Sequence, residues 1–490
     1  MATREAAATG GMHTTDDRIG MNDRIGMNAT DETNEGNGMN GKIDDVAADR
    51  RRPKIIERFP RGVVTPPPSK SLSHRALICA ALASLREGRA GAGDALYDGV
   101  THLGDSDDVR ATRRGMERMA SILSGRATDP GDGVSAPERG RFIDCGESGS
   151  TLRFLIPLAG LDGGVWTFAG HGRLPERPLD VYRTVFEQCG GLFERRGATV
   201  RVRGPLRPGR YVLPGNVSSQ FVSGLLFALP LLAGDSEIAL SSPLESSGYA
   251  RMTAEVMRHY GVRVEEIADA RETDACGIRR IYGYRIPGNQ IYERAAYAVE
   301  ADCSQAAFFL VAAALGCDVR VAGLNPRSSQ GDRRIVRLIG ATGASVADDG
   351  TGAVCVRPPV DGLNALTADV SEIPDLVPPL AALACCCVGR TRLVNAGRLR
   401  AKESDRLHAL KTELCKLGAK VAETEDTLTI EGVASLRGGP ADAWGDHRIA
   451  MALAVAAVRC AEPVVLSGWD CVAKSYPDFW RDFEKERRNR

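Results

Sequence analysis

Two stretches far apart in the chain, PSKSLSHRALICAALA at residues 68–83 and RAKESDRL at residues 400–407, set Lys, Arg and small hydroxyl side chains at the head of apolar helical runs. In the first, Lys70, Ser71 and Arg75 should cluster near a helix start, where unpaired backbone N–H groups and the helix dipole attract anions. In the second, Lys402 and Arg406 stand at i,i+4 spacing, which predicts one helical face, with Glu403 beside them as a proton carrier. Cations with one carboxylate suit chemistry on a phosphorylated ligand. Taken singly, such a cluster describes solvated helix surface; the number and placement of further clusters decides.

Five more stretches add to these. DCGESGSTLRFLIPLAG at 144–160 leads through a small, hydroxyl-rich turn, Ser148-Gly149-Ser150-Thr151, and Arg153 into an apolar helix. Gly permits the close backbone approach by which such a turn cradles phosphate or carboxylate. GRLPERPLD at 172–180 holds Arg177 between Glu176 and Pro178, too rigid for a helix interior. GNVSSQFVSGLLFALPLL at 215–232 sets Ser218, Ser219 and Gln220 before a helix apolar nearly all round, and WGDHRIAMALAVAA places Asp446, His447 and Arg448 before another. VAKSYPDFW carries Lys474 in a turn-like setting.

The elements that must position these residues recur: a helix, a Gly-marked stop, then two short strands about a polar turn. VFEQCGGLFERRGATVRVRG, VRLIGATGASVADDGTGAVCVRP and ALKTELCKLGAKVAETEDTLTIEG each read this way, since Gly ends helices and the alternation after it suits strands. Repetition at these separations favours internal structural repeats over one simple Rossmann sheet.

On these residues the chain resembles the 5-enolpyruvylshikimate-3-phosphate synthase family, the 3-phosphoshikimate 1-carboxyvinyltransferases. The match comprises, in the family's order, KSxSxR from Lys70 to Arg75, SGSTLR at 148–153, ERP at 176–178, SSQF at 218–221, IPDLVPPLA at 373–381, KESDRL at 402–407, DHRIAM at 446–451 and KSYPDF at 474–479. It covers the chain from about residue 54 to its end. The resemblance implies an α/β fold of two similar domains of repeated βαβαββ units, an inverted α/β barrel with buried helices and outward-facing sheets, closing on ligand like a hinge. Its domains would be 67–296 and, discontinuously, 51–66 plus 297–490, with the crossings near 65–68 and 292–301.

The implied reaction transfers the carboxyvinyl group of phosphoenolpyruvate to the 5-hydroxyl of 3-phosphoshikimate and releases phosphate. Carried over by motif, Ser71, Arg75, Ser218, Ser219, Ser246 and Lys402 would hold 3-phosphoshikimate. Lys70 and Gln220 would touch both substrates, while Gly149, Arg177, Arg406, Arg448 and Lys474 would hold phosphoenolpyruvate. Asp375, beside 3-phosphoshikimate, is the candidate base for the 5-hydroxyl, and Glu403 the candidate acid toward the methylene carbon; Lys70 and Lys474 could share the proton transfers. For Asp375 a helix N-cap is the other reading, because Pro374-Asp375 resembles a helix start. For His447 a structural hydrogen bond stands beside ligand contact. The family inhibitor glyphosate is expected to bind, Gly149 leaving room for it.

Two positions depart from the family pattern. Glu147 and Arg398 stand where many members carry Asn; either the two charges compensate each other or Glu147 points away, and substrate affinity is what they affect. Three rival readings fit the residues less well. A sibling transferase acting on UDP-N-acetylglucosamine lacks this combination of SSQF, IPDL and KESDR. A non-catalytic phospholigand-binding descendant would not need Lys70, Asp375 and Glu403 together. An RNA-end-processing enzyme with similar repeats would carry a basic excess.

Composition agrees with a large enzyme of small, anionic substrates. The 490 residues are 43% hydrophobic, enough for more than one core. The 63 basic and 63 acidic residues cancel, so no global charge draws the chain to nucleic acid or anionic membrane. No apolar run reaches the ~18 residues of a membrane span. The 13 cysteines, several inside apolar runs, point to reduced, buried thiols and a cytoplasmic setting. With no spaced Cys/His quartet, no metal or other cofactor is expected, and a monomer is the family default. Residues 1–50, rich in Gly, Asn, Asp, Thr and Met and repeating DRIGMN, should be a disordered extension. Being acidic and free of Ser, that segment does not read as a transit peptide.

Overall fold

Gly-terminated helices followed by short alternating strands recur through the described structure. The computed structural model describes residues 52–86, 93–124, 141–273 and 279–485; the extension expected to be disordered lies outside the described residues. Twelve α-helices occur among them: α1 (Lys70–Arg86), α2 (Asp107–Leu123), α3 (Gly149–Ala159), α4 (Asp180–Gln188), α5 (Ser219–Ala228), α6 (Ser247–His259), α7 (Cys303–Ala314), α8 (Ile335–Ala341), α9 (Val377–Ala384), α10 (Arg406–Lys416), α11 (His447–Ala457) and α12 (Phe479–Phe483).

The predicted repeat is present four times in full. In one copy Phe142–Asp144 runs parallel to Trp166–Ala169, which pairs antiparallel with Thr199–Arg203, itself antiparallel to Leu192–Arg196. Helices α3 and α4 fill the gaps in sequence, giving βαβαββ, and Gly197 turns the last hairpin at φ +57°. The same first, second, fourth, third order recurs from Arg210–Leu213 to Arg279–Ile286, from Gly62–Val64 to Ala353–Arg357, and from Thr367–Asp369 to Leu428–Glu431. The third copy is interrupted: its first strand, Gly62–Val64, pairs with Val319–Ala322, more than two hundred residues later.

The helices that read as apolar on every side are buried on every side. All residues of α7, α9 and α11 are buried. The strands alternate, as in Arg210–Leu213 with Tyr211 and Leu213 inward and Val212 55% exposed, so the sheets face outward. Two hydrophobic cores result. One draws on residues 72–299; the other on Ile56, Val64 and residues 306–483. Where the chain passes between them, Pro68 and Ala301 form a β-bridge, flanked by Ser69 N–H donating to Glu300 O (2.8 Å) and Asp302 N–H to Pro67 O (2.9 Å).

Candidate functional site

The starts of helices from both cores converge on one cavity of about 130 Å³. Capping chemistry places them. Ser148 accepts from Thr151 N–H at the head of α3, Ser218 from Gln220 N–H at α5, Asp405 from His408 N–H at α10 and Asp446 from Arg448 N–H at α11. Each cap leaves first-turn residues at the cavity wall: Gly149 and Ser150, Ser219 and Gln220, Arg406, His447 and Arg448. Helix α1 adds Lys70, Ser71 and Arg75, and Ser246 and Tyr249 come from the start of α6.

Of the residues singled out in the sequence, the cavity gathers Lys70, Ser71, Arg75, Gly149, Arg177, Ser218, Ser219, Gln220, Ser246, Asp375, Lys402, Glu403, Arg406 and Arg448. Lys474 does not line it. Its ammonium donates to Glu147 Oε2 (2.5 Å) and Gly445 O (2.8 Å). Eight lining side chains are cationic against three carboxylates, so the cavity favours anions.

The carboxylates are gripped by those cations. Asp375 accepts from Arg406 Nη1 at Oδ1 (3.1 Å) and from Arg448 Nη2 at Oδ2 (2.9 Å). Burial raises its carboxyl, but Arg448, Lys402 and Arg406 outweigh that and hold it well below the usual carboxylate range. Glu403 accepts from Arg406 Nη2 (2.7 Å), with Arg177 Nη2 at 3.4 Å. Burial again raises it, and Arg177 and Arg406 hold it well below its ordinary value. Asp446, fully buried, receives Arg406 Nε (2.8 Å) and Ser404 Oγ (3.1 Å), fixing Arg406 from behind. Burial, offset only in part by Asp375, brings the Lys402 ammonium down to about 8.

Gly149 is needed for close approach. A Cβ there would stand 2.9 Å from both Arg153 Nη1 and Arg177 Nη1. Arg153 donates to Gln220 Oε1 (2.9 Å), and Gln220 Nε2 donates to Ser150 Oγ (2.9 Å), so the Ser148–Thr151 turn and the SSQF helix are locked together.

Lys402 and Arg406 do not share a helical face, because Asp405 caps α10 and the helix starts only at Arg406; Lys402 and Glu403 precede it in non-helical backbone. Asp375 is not an N-cap: the N-cap of α9 is Leu376, and the Asp375 carboxylate is spent on Arg406, Arg448 and Tyr249. His447 makes no structural hydrogen bond, since neither ring nitrogen has a partner among the described residues; burial, then Lys70, keep it neutral. Glu147 and Arg398 do not compensate each other. Glu147 pairs with Lys474, while Arg398 forms an ion pair with Glu245 and donates to Ser246 Oγ (2.6 Å) and Ser371 O (2.8 Å).

Sequence reasoning passed over Tyr249 and undervalued Arg153, both of which line the cavity. Arg153 had a signal, its place in SGSTLR; Tyr249, a single aromatic in an ordinary helix start, had none. The twelve cysteines among the described residues are unpaired, and Cys145 and Cys303 are buried. Among the described residues no group of three or more His, Cys, Asp or Glu is placed to hold a metal ion, and no helix is long and apolar enough to cross a membrane.

Residues 58–483 match the family model described as EPSP synthase (3-phosphoshikimate 1-carboxyvinyltransferase). A 3-phosphoshikimate 1-carboxyvinyltransferase of Clostridium novyi is 40% identical over 448 residues, covering 88% of this chain and 96% of that protein. Its namesake from Clostridium kluyveri is 42% identical over 430 residues, covering 86% and 94%. The solved EPSP synthase of Acinetobacter baumannii superposes with a TM-score of 0.62 at 24% identity over 88% of this chain and 96% of its own, a likeness of fold.

Proposed function

The chain belongs to the EPSP synthase family and transfers the carboxyvinyl group of phosphoenolpyruvate to the 5-hydroxyl of 3-phosphoshikimate, a step of the shikimate pathway to chorismate and the aromatic amino acids; we propose that the cavity performs it as follows. Ser71, Arg75, Ser218, Ser219, Ser246 and Lys402 hold 3-phosphoshikimate. Gly149, Arg177, Arg406, Arg448 and Lys474 hold phosphoenolpyruvate, and Lys70 and Gln220 reach both. Planar guanidinium groups suit the second task because each meets a carboxylate or phosphate through two hydrogen bonds.

Asp375 accepts the 5-hydroxyl proton; three cations keep it ionised and aimed. Glu403 begins ionised. Phosphoenolpyruvate brings negative charge to Arg177 and Arg406, which weakens their hold on Glu403 and raises its proton affinity, so that Glu403 takes up a proton from solvent as the substrate binds and passes it to the methylene carbon. The oxygen then adds to C2, giving a tetrahedral intermediate. Glu403 takes a methyl proton back as phosphate leaves, which restores the enol ether. Lys70 and Lys474 assist these transfers, Lys474 after release from Glu147.

The observation that carries this reading is the convergence of cations from both cores upon two carboxylates in one cavity. We further propose that residues 67–296 and the discontinuous 51–66 plus 297–490 act as two domains that close on ligand, that the protein is a cytoplasmic monomer, and that glyphosate occupies the phosphoenolpyruvate subsite. The test is phosphate release from the purified protein with both substrates, beside Asp375→Asn and Glu403→Gln. Release that needs both substrates and falls at least ~100-fold in each variant supports the roles; wild-type release with either substrate alone, or full release by the variants, refutes them.

A further inference from the structure

Behind Asp375 the structure continues a chain of acidic groups into the protein. Tyr249 Oη lies 3.2 Å from Asp375 Oδ2 and 3.3 Å from Asp332 Oδ2. Asp332 sits in the single turn Gly331–Arg334 ahead of α8, is 6% exposed, and does not line the cavity. A phenol has one proton to donate, and here two carboxylates face it. Both contacts become hydrogen bonds only when one carboxyl is protonated.

Asp375 is the one that keeps its charge, with Arg406 on Oδ1 and Arg448 on Oδ2. Asp332 has no such support: its Oδ1 is buried with no hydrogen-bond partner among the described residues, which suits a carboxyl that becomes neutral. The groups facing it are Asp302 and Cys303 at the start of α7, Tyr249 from α6, Asp375, and Arg448 from α11. Burial, then repulsion by Asp375, lift the Asp332 carboxyl to about 7, with Arg448 offsetting part of the rise. Burial, then Asp332 and Asp375, raise the Tyr249 phenol far above its ordinary value, so its own proton is not lost to solvent.

Resting on the transfer reading above, we propose that Asp332, acting through the Tyr249 hydroxyl, takes over from Asp375 the proton released by the 5-hydroxyl. The O–H bond of the 5-hydroxyl breaks, its electron pair forms the new C–O bond at C2, and the proton bonds to the Asp375 carboxylate. The Tyr249 proton moves to Asp332 Oδ2, and the Asp375 proton replaces it on Oη. Asp375 is again an anion and Asp332 is neutral; before the next turnover the path runs in reverse, Tyr249 regaining a proton from Asp332 and passing its own through Asp375 to the departing phosphate. Asp332 is thus a positioning residue that keeps the base unprotonated. It touches no substrate.

The experiment compares pH profiles of kcat and of kcat/KM for 3-phosphoshikimate in the full-length wild type, Asp332→Asn, Asp332→Glu and Tyr249→Phe, with direct titration of 3-phosphoshikimate binding. The wild type should lose kcat/KM as pH falls through about 7, because protonated Asp332 cannot accept. Asp332→Asn and Tyr249→Phe should lose that inflection and lower kcat by ~10- to 100-fold, with binding changed less than ~2-fold, and Asp332→Glu should recover most of the rate. Tyr249→Phe keeps the ring and cuts only the link, so a folding failure of Asp332→Asn would still leave a decisive variant. Wild-type profiles in Tyr249→Phe, or a loss of kcat matched by lost binding in both variants, would overturn the relay. A wild type that does not turn over the two substrates would instead remove the transfer reading, and this inference with it.

Discussion

At the scale of single residues, the site works by stripping groups of their water and then choosing which charges survive. Lys402 shows the sign. Its ammonium, lowered to about 8 by burial, is charged below that pH and lost above it, so kcat/KM for 3-phosphoshikimate should fall about tenfold per unit on the alkaline side of ~8. In Lys402→Arg, which stays charged, that limb should move upward; an unchanged limb would assign it to another group. Gly149 tests space rather than charge. In Gly149→Ala the added methyl pushes on the Arg153 and Arg177 guanidinium groups, so KM for phosphoenolpyruvate should rise ~10-fold and glyphosate inhibition weaken, while 3-phosphoshikimate affinity is kept. Steady-state kinetics with each substrate varied decides this. The cationic set was readable from residue type, but the partners were not: that Lys474 is held by Glu147, and that Arg398 is held by Glu245, depends on side chains 327 and 153 positions apart meeting across the cleft.

At the scale of elements, six helices, α1, α3, α5, α6, α10 and α11, turn first-turn residues toward one cavity, so in the proposed reading their starts are also binding determinants. Asp446 joins the two roles, capping α11 while compensating the buried Arg406. Asp446→Ala should cost ~3–5 kcal/mol by leaving that guanidinium short of a partner; Asp446→Asn, which keeps the cap, should retain about 1 kcal/mol of it. Thermal or denaturant unfolding measures both, and a variant as stable as wild type would show that Glu403 and Asp375 suffice for Arg406. The repeats were legible because Gly190, Gly343 and Gly418, all at positive φ, stop helices α4, α8 and α10 just before their strand pairs. The start of α10 was not legible: the spacing of Lys402 and Arg406 resembles a helical face, but the stronger capping tendency of Asp405 moves the boundary beyond it.

At the scale of the whole molecule, two cores meet at a cleft lined by mutually repelling cations and bridged by a few contacts, among them Ser247 Oγ donating to Glu372 Oε2 (2.8 Å). The proposed closure then depends on anions to neutralise that repulsion. Adding 3-phosphoshikimate should lower the radius of gyration in small-angle scattering, and high salt without substrate should reproduce only part of the change; a radius insensitive to substrate would refute closure. The sequence by itself determined the repeat unit, the family and most of the cavity wall, because Gly stops, caps and apolar periodicity act within a few residues of where they are written. Only the tertiary structure decided which carboxylate each arginine holds, that neither His447 ring nitrogen has a hydrogen-bond partner among the described residues, and that Asp332 stands behind Tyr249. Those are facts of proximity between distant segments, and in a buried site proximity determines which groups stay charged.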